Sequence, residues 1–178
     1  MTLSPARRRL LSLGVGVVVG AVLAAVLLVG SSPGPTRAAA FTLPRLGGGA
    51  DVVVPVVEGG HDVPLVLVFF ASWCTPCQAE LPVVAAVARS LAEARAGVQF
   101  VGVDGDDSPS SGLAFARQSG VRFPVAEDSL TEVAPRYGLT GYPDTVFVDA
   151  AGDVVHVVRG PVSASTLRTW AARVETRS

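Results

Sequence analysis

Cys74 and Cys77, in the run Trp73-Cys74-Thr75-Pro76-Cys77, are the only two cysteines in a chain of 178 residues. Two thiols two residues apart can close into a disulfide and reopen, so the pair has the makings of a dithiol–disulfide couple. An apolar run from Val63 to Ala71 precedes it, and an Ala-rich, helix-like stretch from Gln78 to Ala96 follows. That order sets the cysteines at a strand-to-helix junction, with one sulfur at a helix N-terminus. There, the partial positive charge of unpaired N–H groups favours thiolate over thiol. The chemistry implied is redox.

Other uses of the two cysteines fit less well. A zinc site needs two further ligands, and His61 and His156 are the only histidines, with no second cysteine pair. A purely structural disulfide would close so short a loop that it adds little chain-entropy stabilisation. His156 alternates within Val154-Val155-His156-Val157-Val158 and reads as a strand residue. Asp104-Gly105-Asp106-Asp107 has some of the character of a calcium loop but reads better as a capped, solvated loop.

The elements that must position these residues follow from the apolar pattern. Asp51 to Val57 reads as an early, short strand or hairpin segment weakened by Pro55. Leu65 to Phe70 is six apolar residues in succession, as in a strand buried on both faces. Thr75 to Ala96 is a helix stopped by Gly97, and Val98 to Val103 a second buried strand ending at Asp104. Ser110 to Gly120 and Ser129 to Tyr137 read as helices, the latter stopped by Gly138. Thr145–Asp149 and Val154–Arg159 flank Ala150-Ala151-Gly152 as an antiparallel hairpin. Ser163 to Val174 closes the chain as an amphipathic helix with Leu167, Trp170, Ala171 and Val174 on one face. The order gives an α/β fold: a central mixed sheet with helices on both faces.

The N-terminus addresses a different compartment. Arg7-Arg8-Arg9 is the only basic cluster, and the formal net charge is −1, which argues against a nucleic-acid partner. Leu10 to Val29 carries no charge, and about twenty residues at roughly 1.5 Å each match a bilayer core of about 30 Å. We read residues 1–9 as a cytoplasmic basic segment, 10–30 as a transmembrane signal anchor, 31–40 as a linker and 41–178 as one exported domain. A cleaved secretory signal ending at Ala38-Ala39-Ala40 is the alternative, leaving a secreted protein. The match to a twin-arginine signal is loose, because the segment after the arginines is too apolar. Positive charge stays inside, so either reading sends the domain to an oxidising compartment. The absence of Lys, Asn and Ile, all with A/T-rich codons, points to a bacterium with a G/C-rich genome, which the base composition of that genome checks.

Four segments together resemble the thioredoxin superfamily, and more narrowly the TlpA-like thiol–disulfide oxidoreductases that include the cytochrome c maturation reductases. They are Phe69-Phe70-Ala71-Ser72-Trp73-Cys74-Thr75-Pro76-Cys77, then Glu80-Leu81-Pro82, then Gly141-Tyr142-Pro143-Asp144-Thr145, and the hairpin from Val146-Phe147-Val148-Asp149 through Gly152. The likeness spans about residues 41 to 174. It implies a thioredoxin fold and a protein disulfide reductase with no cofactor beyond the redox-active Cys74–Cys77 disulfide. Its partners would be protein thiols and disulfides, apocytochrome c among them, and a membrane thiol-electron donor. Copper-delivery relatives on this fold space their cysteines by three residues and add a histidine, which this chain does not.

Within that resemblance, Cys74 is the solvent-facing attacking thiolate, its pKa lowered into the range of about 3.5 to 7.5. Cys77 is the shielded resolving thiol. Pro76 fixes one dihedral and removes an amide donor between them. Pro82 kinks the helix. Pro143 is expected to be cis, and Tyr142 to offer its backbone to a peptide strand, with Trp73 shielding the disulfide. Thioredoxins carry a buried acid six residues before the first cysteine, where this chain has Val68. Glu80 lies three residues past Cys77 on the same helix face and is the candidate acid/base, or else a solvated helix carboxylate. The alternatives are a thiol peroxidase on the same fold and a redox-silent peptide-binding domain.

Overall fold

A computed structural model describes residues 36–58 and 61–177. The expectations for 1–9, for the apolar 10–30 segment and for 31–35 lie outside the described residues. Among the described residues no helix is long and apolar enough to cross a membrane. The strands are β1 (Thr36–Arg37), β2 (Phe41–Leu43), β3 (Val52–Val54), β4 (Val57–Glu58), β5 (His61–Asp62), β6 (Leu65–Phe70), β7 (Gln99–Gly105), β8 (Val125–Asp128), β9 (Asp144–Val148) and β10 (Asp153–Arg159). The α-helices are α1 (Thr75–Glu93), α2 (Pro109–Gln118) and α3 (Ala164–Glu175), with one 3-10 helix at Ala134–Tyr137.

Six strands form one sheet in the order β1-β10-β9-β6-β7-β8. The β6–β7–β8 portion is parallel, and β9, β10 and β1 continue it antiparallel. Every residue of β6 is at most 1% exposed, as its unbroken apolar run predicts. Because side chains alternate, Val66, Val68 and Phe70 face one core while Leu65, Leu67 and Phe69 face another.

The helices do not divide between the faces as expected. The two parallel steps β6–α1–β7 and β7–α2–β8 advance in the same direction, and right-handed crossovers then put both helices on one side. Leu167, Ala171 and Val174 of α3 join them over Val66, Val68 and Phe70. The opposite face is closed by the β2–β3 hairpin (Phe41, Val52, Val54) and by Val133, Ala134 and Leu139 around the 3-10 helix.

Local chemistry explains the other departures. The strand expected over Asp51–Val57 breaks at a cis Val54–Pro55 bond, where proline has no N–H to continue the ladder. The helix expected over Ser129–Tyr137 shrinks to its last four residues. The Asp128 carboxylate takes the amides of Glu132 (2.8 Å) and Val133 (3.0 Å), and Thr131 sits at φ 55°, so a turn replaces the first helical turn. Residues 36–40, expected as linker, instead contribute β1 and an Ala38 amide bond to the Gly152 carbonyl (2.9 Å). The short edge strand β8 was not expected at all. Strand β7 runs past Val103 through Gly105, which takes Asp104 out of the loop and into the sheet.

Candidate active site

Strand β6 ends at Phe70, and the chain turns through Ala71 and Ser72 into α1. Cys74 is the N-cap of that helix: its Sγ accepts the Cys77 amide at 3.2 Å. The two cysteines form a disulfide, with Cα atoms 5.2 Å apart. Pro76 stands in the first turn of α1, where its missing N–H removes no helical bond. Cys77 is fully buried, and Cys74 is only 4% exposed, less open than the expected solvent-facing thiol. As cap, its sulfur turns toward the helix amides rather than out to water.

The register sets Asp144, the first residue of β9, opposite Phe69. The cis Tyr142–Pro143 peptide, as expected from the resemblance, therefore runs beside Phe70 and Ala71, the residues that lead into the cysteines. Trp73, expected to shield the disulfide, is itself 57% exposed. Its Nε1–H donates to the Asp106 carbonyl (2.8 Å), and its ring meets Tyr142 edge-on at 6.0 Å. Trp73, Tyr142 and the backbone of Asp106 thus pack together next to the turn that leads into Cys74.

Glu80 is 5% exposed, which excludes a solvated helix carboxylate. Its Oε2 accepts the Val162 amide at 2.7 Å, tying α1 to the segment before α3. Burial pushes the Glu80 carboxyl up to about 7; the Val162 amide opposes that rise and the nearby Asp144 adds to it. Asp144, itself 4% exposed, is also raised by burial, against the Gly160 amide (3.0 Å) and Arg159. Val68 sits in the apolar layer under the helices, as its type requires.

Asp144 and Asp104, which the sequence suggests are surface or loop groups, are both buried. Asp144 follows the cis-proline directly, and an acid opening a strand of Thr-Val-Phe-Val was the available signal. Asp104 is 1% exposed rather than solvated. His156 is a strand residue, stacked on Trp170 with ring centroids 3.9 Å apart. Among the described residues, no group of three or more His, Cys, Asp or Glu is placed to hold a metal ion.

A mixed sheet whose central strand delivers a CxxC pair to a helix N-terminus, with a cis-proline on the adjacent strand, is the thioredoxin-like arrangement. Comparison with known sequences narrows this: the chain belongs to the AhpC/TSA family, whose model matches residues 36–157. It is similar to the thiol-disulfide oxidoreductase ResA of Bacillus thuringiensis subsp. konkukian, 27% identical over 106 residues, 60% of each chain. A thiol:disulfide interchange protein DsbE homolog of Paracoccus denitrificans is 36% identical over 95 residues, 53% of this chain and 49% of that one. The match thus spans about half to three-fifths of these curated relatives' length. The solved structure of MTB DsbF in mixed oxidized and reduced forms is 36% identical, with a TM-score of 0.66 over 75% of this chain and 94% of that chain.

Proposed function

We propose that this protein is a thiol–disulfide oxidoreductase that reduces protein disulfides outside the cytoplasm. The observation that carries the reading is the Cys74 sulfur accepting the Cys77 amide in the first turn of α1, backed by the fully buried Cys77. In the dithiol form that amide and the helix dipole stabilise a Cys74 thiolate. The thiolate attacks one sulfur of a substrate disulfide, forming a Cys74–substrate bond and expelling the other substrate sulfur as thiolate. Glu80 takes the proton of the Cys77 thiol. Cys77 then attacks the Cys74 sulfur, restoring the internal disulfide and releasing the second substrate sulfur. Two electrons pass to the substrate, and a membrane thiol donor returns them.

Tyr142 and cis-Pro143 form the edge on which an extended substrate segment would pair, and Trp73 packs beside it. The substrate class is a protein disulfide, the haem-binding cysteine pair of an apocytochrome c being the reading the ResA and DsbE likeness supports. Anchoring by the 10–30 segment, with the domain extracytoplasmic, follows from Arg7-Arg8-Arg9 and the charge-free run after it.

A Cys77→Ser variant incubated with a disulfide-closed Cys-x-x-Cys-His peptide is expected to accumulate a mixed disulfide on Cys74, and Cys74→Ser to accumulate none. Equilibration of wild type with glutathione should give a potential well below −200 mV. A value near −120 mV, the range of strong oxidants, would reverse the direction assigned here.

A further inference from the structure

Asp104 lies inside the sheet at the end that carries the cysteines. Its neighbours in register are Phe70 on β6 and Glu127 on β8. From the helical side Gly112 of α2 comes so close that a Cβ there would overlap the Asp104 carboxyl. The other groups that face it are Asp107 and the phenol of Tyr142, with Asp106 and Asp128 around that phenol. None of the ion pairs among the described residues involves Asp104. Its Oδ1 is buried and has no hydrogen-bond partner.

Asp107 is the acid that acts on it most strongly, through its charge and a side-chain hydrogen bond. Asp107 in turn accepts two amides: Ser72 on Oδ2 (2.6 Å) and Ser108, the N-cap of α2, on Oδ1 (2.8 Å). Two carboxyl groups in contact cannot both ionise at low cost. With both Asp107 oxygens already occupied by N–H donors, the proton belongs on Asp104, which donates it to Asp107. Ser72 is two residues before Cys74, and its carbonyl accepts the Gln78 side-chain amide (3.1 Å). A continuous path therefore runs from a buried carboxyl to the backbone that presents the sulfur.

We propose that Asp104 is a positioning residue, whose proton holds Asp107 on the Ser72 amide and so fixes the loop that carries Cys74. When that proton leaves, no cation is there to replace it, and the two carboxylates repel. Asp107, nearer the surface, then moves outward and releases Ser72. Burial and the acids Asp107 and Glu127 push the Asp104 carboxyl up to about 8, within reach of slightly alkaline solutions. The effect on Cys74 rests on the redox reading above; the tie from Asp104 to Ser72 does not.

The test follows the Ser72 and Ser108 backbone amides by NMR in the oxidised protein from pH 6 to 9.5. In wild type both should titrate together with a midpoint near 8, and Glu80→Gln should leave that midpoint in place. Asp104→Asn keeps a donor toward Asp107 but cannot ionise, so the titration should vanish. Asp104→Leu removes the donor, and Ser72 amide exchange should speed up by tenfold or more. In reduced protein, the step near pH 8 in the Cys74 alkylation rate should disappear with Asp104→Asn. An unchanged Ser72 titration in Asp104→Asn overturns the proposal even where the leucine variant does not fold. A wild type whose Ser72 titrates as described but which reduces no protein disulfide supports the role of Asp104 and overturns the redox reading instead.

Discussion

At the scale of single residues, Glu80 and Asp144 are two buried carboxyls that raise one site's affinity for protons, Asp144 adding to the rise at Glu80. A carboxyl near 7 is divided between its two forms at neutral pH, the condition in which a general base both accepts and returns a proton. Glu80→Gln keeps the shape and the acceptor for the Val162 amide but cannot take the Cys77 proton. We expect resolution of the mixed disulfide to slow by about a hundredfold, while the first attack by Cys74 changes little; general-base contributions are typically of about that size or larger. Single-turnover kinetics across pH 6–9 check it, and an unaltered resolution rate with an unaltered inflexion near 7 would remove Glu80 from the mechanism. The candidate was visible beforehand because Cys77 and Glu80 are three apart on one helix. Its burial was not, since that depends on Val162, which stands 82 positions away. The burial of Asp144 and Asp104 was hidden for the same reason: an acid in a sequence looks solvated until the strands on either side of it are known.

At the scale of elements, one contact shows how tightly helix and strand are matched. Replacing glycine by alanine inside a helix ordinarily stabilises it by about 1 kcal/mol. Gly112 in α2 is an exception, because the added methyl meets the carboxyl of Asp104, a residue only 1% exposed on a strand paired on both sides by β6 and β8. Overpacking of that kind costs about 1–3 kcal/mol, so the steric term wins. Gly112→Ala should lower the denaturation midpoint, whereas Gly141→Ala, whose methyl meets open space, should leave it nearly unchanged. Chemical denaturation of the two variants decides this, and a more stable Gly112→Ala would contradict the packing described. The long elements β6, α1, β9, β10 and α3 were legible because each carries a sustained apolar period. The short ones were not: β8 holds four residues, two of them acids, and the helical pattern at Ser129–Tyr137 gives way to Asp128 capping a turn. Which face each helix covers depends on the direction of successive crossovers, which no single segment records.

At the scale of the whole molecule, the buried acids set how stability depends on pH. Glu80 moves from an ordinary value of 4.5 to about 7, and Asp104 from 3.8 to about 8. Between those limits the native protein holds protons that the unfolded chain has released, so the derivative of unfolding free energy with pH is negative. Their contribution is complete below about pH 4 and is lost as pH rises through 7 for Glu80 and 8 for Asp104. Each carboxyl contributes a slope of at most about 1.4 kcal/mol per pH unit within its window. Asp144, raised in the same direction, adds to the trend. His156 works the other way, because burial first and then Arg173 lower its pKa below 6.5, so stability tends to rise as pH passes the ordinary imidazole range. With two acids displaced by several pH units against one partly exposed imidazole, the acids dominate. The oxidised protein, in which the cysteines do not titrate, should therefore lose stability steadily from about pH 5 to about pH 8. In the Glu80→Gln/Asp104→Asn double variant neither site exchanges a proton, and that decline should largely flatten. Urea denaturation of the domain at successive pH values measures it, and a double variant with the wild-type slope would show that these two carboxyls are ionised throughout, contrary to the burial that defines the site.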